Sequence, residues 1–263
     1  MPTDIEWADE TWEIVRGCTP VSPGCQNCYA ARLAKGRLKR FYPKGFNNVE
    51  MLWDTLTDPK PARWRKPRRV FPCSRSDLFH KTTTLEFLVE AFSIMRDCPQ
   101  HQFPVLTKRV DRMRDFSEYI DWPDNVWAGV SVEDKTVDWR IEQLSCIPAK
   151  VRFVSLEPLL GPVDIRSWLP DPAMDAGSTY ENPEGVERYD LSGRVVNSLD
   201  WVIVGGESGP NARPMHPEWV RSVRNQCREA GVPLFVKQAS GPRAGQQGDL
   251  PDDLWATKES PTC

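Results

Sequence analysis

The sequence has no apolar run of about 18 residues, the length a membrane-spanning helix needs, and no charged-then-apolar leader, so neither a bilayer span nor a secretory signal is expected. It has no low-complexity linker and no internal repeat, and residues 1–263 are read as a single domain. It also lacks the paired cysteine framework of a secreted scaffold. Of eight cysteines, three are clustered and five (Cys73, Cys98, Cys146, Cys227, Cys263) are scattered. Free thiols in a reducing, cytoplasmic compartment fit that distribution.

The clustered three are Cys18, Cys25 and Cys28, in the stretch Gly17-Cys18-Thr-Pro-Val-Ser-Pro-Gly-Cys25-Gln-Asn-Cys28-Tyr29. Pro20, Pro23 and Gly24 bend this stretch and keep it out of a helix, which allows three sulfurs to converge on one point. A structural zinc site takes four ligands, so three thiolates leave one position open. A [4Fe-4S] cluster held by three cysteines leaves one iron free for another ligand. A closed zinc site would need a fourth ligand from Cys73 or His80; Cys73, in the apolar run Val70-Phe-Pro-Cys73, reads as a small buried hydrophobe, whereas His80 fits either role. His216, before Pro217, reads as a helix opener.

Short β-branched runs recur, each followed by a segment of helical pattern. Strands are expected near Trp12–Arg16, Arg69–Pro72, Gln102–Leu106, Val126–Val130, Val151–Leu156, Trp201–Val204 and Leu234–Val236. Helices are expected over Tyr29–Arg40, Thr84–Arg96, Lys108–Ser117, Lys135–Ser145 and His216–Ala230. The rhythm is that of an α/β protein: a TIM-like parallel β/α barrel, complete or incomplete, of about seven strands. After the fifth strand the crossover helix is replaced by a polar, turn-rich insertion over residues 168–199.

In such barrels the working residues stand at the carboxyl ends of the strands. Those ends carry the cysteine loop, then Ser74 and Asp77, Thr107 and Lys108, Ser131 and Glu133, Ser155 and Glu157, Gly205-Gly206-Glu207, and Lys237. Lys108 and Lys237 are placed to neutralise an anionic substrate, with Arg109 beside them. Gly205 and Gly206 either admit a flat ring close to the backbone or make a tight strand exit.

Charge is uneven. Residues 32–69 hold twelve Lys or Arg against three acids, in a chain of net charge −3. Arg65, Lys66, Arg68 and Arg69 lie in that segment among Phe41, Tyr42, Phe46, Trp53 and Trp64, a mixture able to contact phosphates and stack on unpaired bases, or to form a solvated flap with its aromatics packed inward.

The cysteine loop, followed by alternating strands and helices, resembles that of the radical S-adenosylmethionine (SAM) superfamily, although six residues rather than three separate the first two cysteines. Over most of its length the chain is similar to a group of phage and bacterial three-Cys-motif proteins. The similarity runs through Cys18-Thr-Pro-Val-Ser-Pro-Gly-Cys-Gln-Asn-Cys-Tyr29, Ser74-Arg-Ser-Asp-Leu-Phe-His80, Leu106-Thr-Lys-Arg109, Gly129-Val-Ser-Val-Glu133, Ser155-Leu-Glu-Pro-Leu-Leu160 and Gly205-Gly-Glu-Ser-Gly209. The superfamily resemblance implies a [4Fe-4S] cluster on Cys18, Cys25 and Cys28, reduced by an electron donor. It implies SAM in the barrel mouth, contacted from among Ser74, Asp77, Ser131, Glu133, Ser155, Glu157, Gly205, Gly206 and Glu207, and cleaved to a 5′-deoxyadenosyl radical. With the basic segment, it points to a nucleic acid or nucleotide substrate. Two other classes stay open: a zinc-stabilised nucleic-acid-binding protein, and a metal-independent barrel hydrolase using Glu133 and Glu157 as acid and base.

Overall fold

β-Branched runs and amphipathic segments alternate along the chain and fold accordingly. The computed structural model describes residue 3, residues 5–170 and residues 198–261. Its strands are β1 (Glu10–Trp12), β2 (Val15–Arg16), β3 (Glu50–Met51), β4 (Val70–Pro72), β5 (Phe103–Thr107), β6 (Val126–Ser131), β7 (Arg152–Leu156), β8 (Trp201–Gly205) and β9 (Leu234–Gln238). Its helices are α1 (Tyr29–Lys35), α2 (Asp54–Thr57), α3 (Lys60–Arg63), α4 (Leu85–Arg96), α5 (Val110–Ser117), α6 (Trp139–Ser145), α7 (Pro217–Glu229) and α8 (Asp252–Trp255).

Strands β5 to β9 form one five-stranded parallel sheet in chain order. β1 pairs in parallel with β4. A bridge between Arg69 and Gln102, with Val70 N donating to Gln102 O (2.8 Å), carries the parallel order on from β4 to β5. Among the described residues no pairing joins β1 to β9, so the hydrogen-bonded order stays open there. Trp7 packs against inward residues of β4 and β8, its ring 4.7 Å from Phe71 and 5.8 Å from Trp201.

Period-two alternation sorts the strand residues into two cores. One set, including Val105, Val130, Val154, Val202 and Val236, packs outward with the helices. The other set, Phe71, Trp127, Phe153, Trp201, Ile203 and Phe235, packs with Trp7 on the inner side. Helix α4 illustrates how the outer layer docks. Thr84 Oγ1 caps it by accepting from Phe87 N (3.3 Å), and Phe87, Leu88, Ala91, Phe92 and Met95 recur at helical spacing on its buried face. Above the inner aromatic floor, the same strands end in Ser131, Ser155, Glu157 and Lys237, which makes their carboxyl end the polar one.

Two expected elements differ. The strand expected over Trp12–Arg16 divides at Glu13, because Leu52 N donates to Ile14 O (2.9 Å) and draws β2 into antiparallel pairing with β3. The helix expected to reach Arg40 stops at Lys35, where Gly36 closes it. The insertion expected over 168–199 falls mainly on 171–197, outside the described residues. Its flanks meet, since Leu199 N donates to Trp168 O (2.7 Å). Among the described residues no helix is long and apolar enough to cross a membrane.

Candidate functional site

The cysteine loop leaves β2 through Gly17, at φ +85°. A Cβ there would stand 2.5 Å from Asn48 O and 2.6 Å from Phe46 O, so only glycine admits this entry. Cys18 N then donates to Phe46 O (3.0 Å), Cys25 closes a short 3₁₀ turn over Pro23–Cys25, and Cys28 stands at the start of α1. The three thiols are unpaired, and all three line one cavity of about 210 Å³.

Side chains from several strand ends hold this loop in place. After β4, His80 Nε2 shares a hydrogen bond with Thr19 Oγ1 (2.8 Å). After β5, Arg109 donates from Nη2 to Thr19 O (2.7 Å), while Nη1 lies 3.6 Å from Cys18 Sγ and 2.7 Å from Asp77 Oδ2. After β6, Glu133 accepts from Ser22 Oγ (2.7 Å). After β8, Glu207 accepts from Asn27 Nδ2 (2.8 Å), and Arg213, held by Glu207, donates to Pro23 O (3.0 Å). Tyr29 donates its hydroxyl proton to Ser74 O.

These contacts fix the charge state of the holding groups. Burial pushes the Glu133 carboxyl up, but Lys108 Nζ at 2.9 Å, Arg140 Nη1 at 3.1 Å and the Ser22 hydroxyl bring it below its ordinary value. Burial likewise raises Glu207, and the Arg213 and Asn27 hydrogen bonds outweigh it. Burial and Arg109 lower His80, which favours the neutral imidazole. Burial and the Asp77 carboxylate push the Cys18 thiol up to about 11, against the pull of Arg109. A bound cation reverses that preference, since a coordinating thiol is deprotonated outright.

Of the residues singled out from the sequence, Cys18, Cys25, Cys28, Ser74, Asp77, Ser131, Ser155, Glu157, Gly206, Glu207, Lys108 and Lys237 share the cavity wall. Glu133 and Gly205 stand behind it: Glu133 is 1% exposed beneath Ser22, and Gly205 packs 3.1 Å from the Glu157 carboxyl as measured to its would-be Cβ. A Cβ on Gly206 would lie 2.2 Å from Ser240 N, so its open side is filled by the strand-end backbone, as in a tight exit. Lys108 is spent on Glu133, and Lys237 lies 2.6 Å from Glu157. Glu133 and Glu157 therefore do not form an acid–base couple, because each is neutralised by a different cation. His80 is taken on both ring nitrogens, by Thr19 and by Thr82 Oγ1 (2.9 Å), and does not close a zinc site. Cys73 is buried, its thiol pushed up to about 12 by burial. Among the described residues no group of three His, Cys, Asp or Glu side chains stands close enough to share one ion.

The basic segment is split. Its first part stays by the cysteine loop, where Arg32 Nη1 donates to Ser208 O (3.2 Å). Its last part lies at the opposite rim: Arg68 pairs with Glu10 (3.2 Å), Arg69 spreads over Trp127 and Trp201 at 5.0 and 5.2 Å, and Arg65 and Lys66 are exposed beside them. The chain must descend from the carboxyl rim to begin β4, so one contiguous segment cannot make one surface at the mouth. A second, larger cleft of about 1100 Å³ runs beside β1 and shares Tyr29, Ser74, Arg75, Glu157 and Lys237 with the cavity. Glu13, Tyr29, Arg75, Arg140 and Arg213 escaped the sequence reading. Only Tyr29, next to Cys28, carried a positional signal.

Fold and site together define an α/β protein with a three-cysteine loop tethered over the carboxyl ends of a parallel sheet. Within that class, the chain belongs to the family of proteins of unknown function DUF5131, whose model matches residues 2–249. No curated protein matches significantly. Two point variants of spore photoproduct lyase share the fold at 10% identity, with TM-scores of 0.51 and 0.52, over 88% of this chain and 76% of theirs. A spore photoproduct lyase complexed with dinucleoside spore photoproduct matches at 11% identity and a TM-score of 0.45, over 86% of this chain and 62% of that one.

Proposed function

We propose that this protein is a radical SAM enzyme acting on nucleic acid or nucleotides. The observation that carries the reading is that three free thiols on one loop, tethered from the ends of β4, β5, β6 and β8, line the same cavity as the polar strand ends. The fold likeness to spore photoproduct lyase, a radical SAM enzyme, supports it. So does the donor set: three cysteines suit a [4Fe-4S] cluster with one open iron, whereas the histidine that could complete a zinc site is already engaged.

Cys18, Cys25 and Cys28 would hold such a cluster, which, reduced by an external donor, would supply the electron for reductive cleavage of SAM. The protein's own part is positional. Arg109 and Arg213 set the loop and place positive charge beside an anionic thiolate group. Ser74, Ser131 and Ser155 offer hydroxyls that donate or accept, and Glu157 offers a carboxylate to an ammonium or to ribose hydroxyls. Lys237 holds that carboxylate at 2.6 Å until a ligand competes for it. Asp77, Glu133 and Glu207 act through the loop they hold.

The reading is tested by incubating anaerobically reconstituted, chemically reduced protein with SAM. Equal amounts of 5′-deoxyadenosine and methionine are expected, and none from Cys28→Ala. Protein carrying a full complement of iron and sulfide but yielding neither product would overturn the reading.

A further inference from the structure

We propose that the cleft beside β1 holds a phosphate-binding subsite, formed by Arg37 and Lys60, for a phosphodiester strand longer than one nucleotide. This rests on the reading that the adjoining cavity is where chemistry occurs. Most charged side chains of the cleft wall sort into pairs; the exposed Asp54 is the one acid there without an ion pair among the described residues, against three cations, Arg32, Arg37 and Lys60, without one. Glu13 faces Arg75 (3.8 Å), Glu157 faces Lys237 (2.6 Å), Arg63 Nε bonds Asp58 (3.0 Å), and Glu6 is met from outside by Lys258 (2.7 Å). Arg32 is engaged by Ser208 O. Arg37 and Lys60 are exposed on the same wall and have no acidic partner among the described residues. The cleft therefore keeps a cationic surplus where solvent and ligands reach it.

Arg37 and Lys60 line the cleft but not the inner cavity, whereas Tyr29, Ser74 and Lys237 line both. A strand with one nucleotide in the cavity that runs on along the cleft would bring a neighbouring phosphate to Arg37 and Lys60. The volume agrees: about 1100 Å³ exceeds the roughly 300–1,000 Å³ of a typical small-ligand pocket. The exposed basic residues of the opposite rim, Arg65 and Lys66, have no part in this.

Fluorescence anisotropy of short oligothymidylate and oligouridylate on the reconstituted protein, over a salt series, tests the subsite. The two strands identify the sugar, and thymidine and uridine monophosphates serve as competitors. Strand binding that the mononucleotides compete for poorly is expected. Arg37→Glu/Lys60→Glu should make the log–log salt slope shallower by about 0.7, the contribution of the one phosphate the two residues hold. Arg37→Gln/Lys60→Gln should move it the same way with the melting temperature retained, and Arg65→Glu/Lys66→Glu should leave the slope unchanged. An unchanged slope in both cleft variants, an equal change in the opposite-rim variant, mononucleotides competing as well as strands, or no binding of either strand would each overturn the subsite. Strand binding as expected without SAM cleavage would remove the radical chemistry and leave the subsite standing.

Discussion

Arg109 and Asp77 form a buried ion pair, Nη1 to Oδ2 at 2.7 Å with side-chain exposures of 9% and 7%, and the same guanidinium holds the carbonyl of Thr19 beside Cys18. A residue after β5 thus fixes where the cysteine loop begins. Arg109→Ala leaves Asp77 charged, buried and unpaired, and should destabilise the fold by about 3–5 kcal/mol in denaturant melts. Adding Asp77→Asn should recover part of that loss while iron loading stays low, since the grip on Thr19 is still missing. Full recovery of both would show that the pair does not position the loop.

Glu133 supplies a pH dependence. Its folded-state carboxyl lies below its ordinary value, so its stabilising contribution is complete above about pH 4.3, the unfolded value, and is lost as pH falls through the lower folded one. Melting temperatures of wild type should therefore drop on acidification below about pH 4.3 more steeply than those of Glu133→Gln. Parallel acid limbs would mean that the Lys108 and Arg140 contacts contribute nothing measurable.

How far these features were legible depends on whether they are local. Parallel strands β4 to β9 and the helices α4 to α7 follow from period-two and period-3.6 patterning, and each was found within a few residues. The strand expected over Trp12–Arg16, by contrast, shares only Trp12 with parallel β1 and ends on antiparallel β2. That Cys18, Cys25 and Cys28 share one loop and line one cavity was readable because their spacing and the prolines between them are local too. The holding groups were not readable in their roles. Glu133, Asp77 and Glu207 stood out as strand-end carboxylates, but their partners Ser22, Arg109 and Arg213 are chosen by sheet order. Residues 32–69 are hard to place for the same reason: a contiguous charge run does not show that the chain crosses from rim to rim within it.

Gly17 tests the entry to the loop. Gly17→Ala forces a side chain into a positive φ with two backbone carbonyls within 2.6 Å of its Cβ, and should cost about 1–3 kcal/mol with reduced cluster uptake. Normal stability and normal uptake would show that the loop can enter another way.

Glu157 faces the cavity across from Lys237 and, unlike Asp77 and Glu207, is not hydrogen-bonded to the cysteine loop or to the arginine that holds it. Glu157→Gln should weaken SAM binding by about tenfold or more in calorimetry, the effect of losing a hydrogen bond to a charged group worth about 1.5–3 kcal/mol. Unchanged affinity would remove Glu157 from the binding wall.

The central claim is that Cys18, Cys25 and Cys28 carry a [4Fe-4S] cluster. Iron, sulfide and zinc analysis of the anaerobically reconstituted protein, paired with its absorption and electron paramagnetic resonance spectra, tests it most directly. The account predicts about four irons and four sulfides per chain, a reduced-cluster resonance, and loss of both on alanine substitution of any one of the three cysteines. Stoichiometric zinc with neither iron nor sulfide would contradict it.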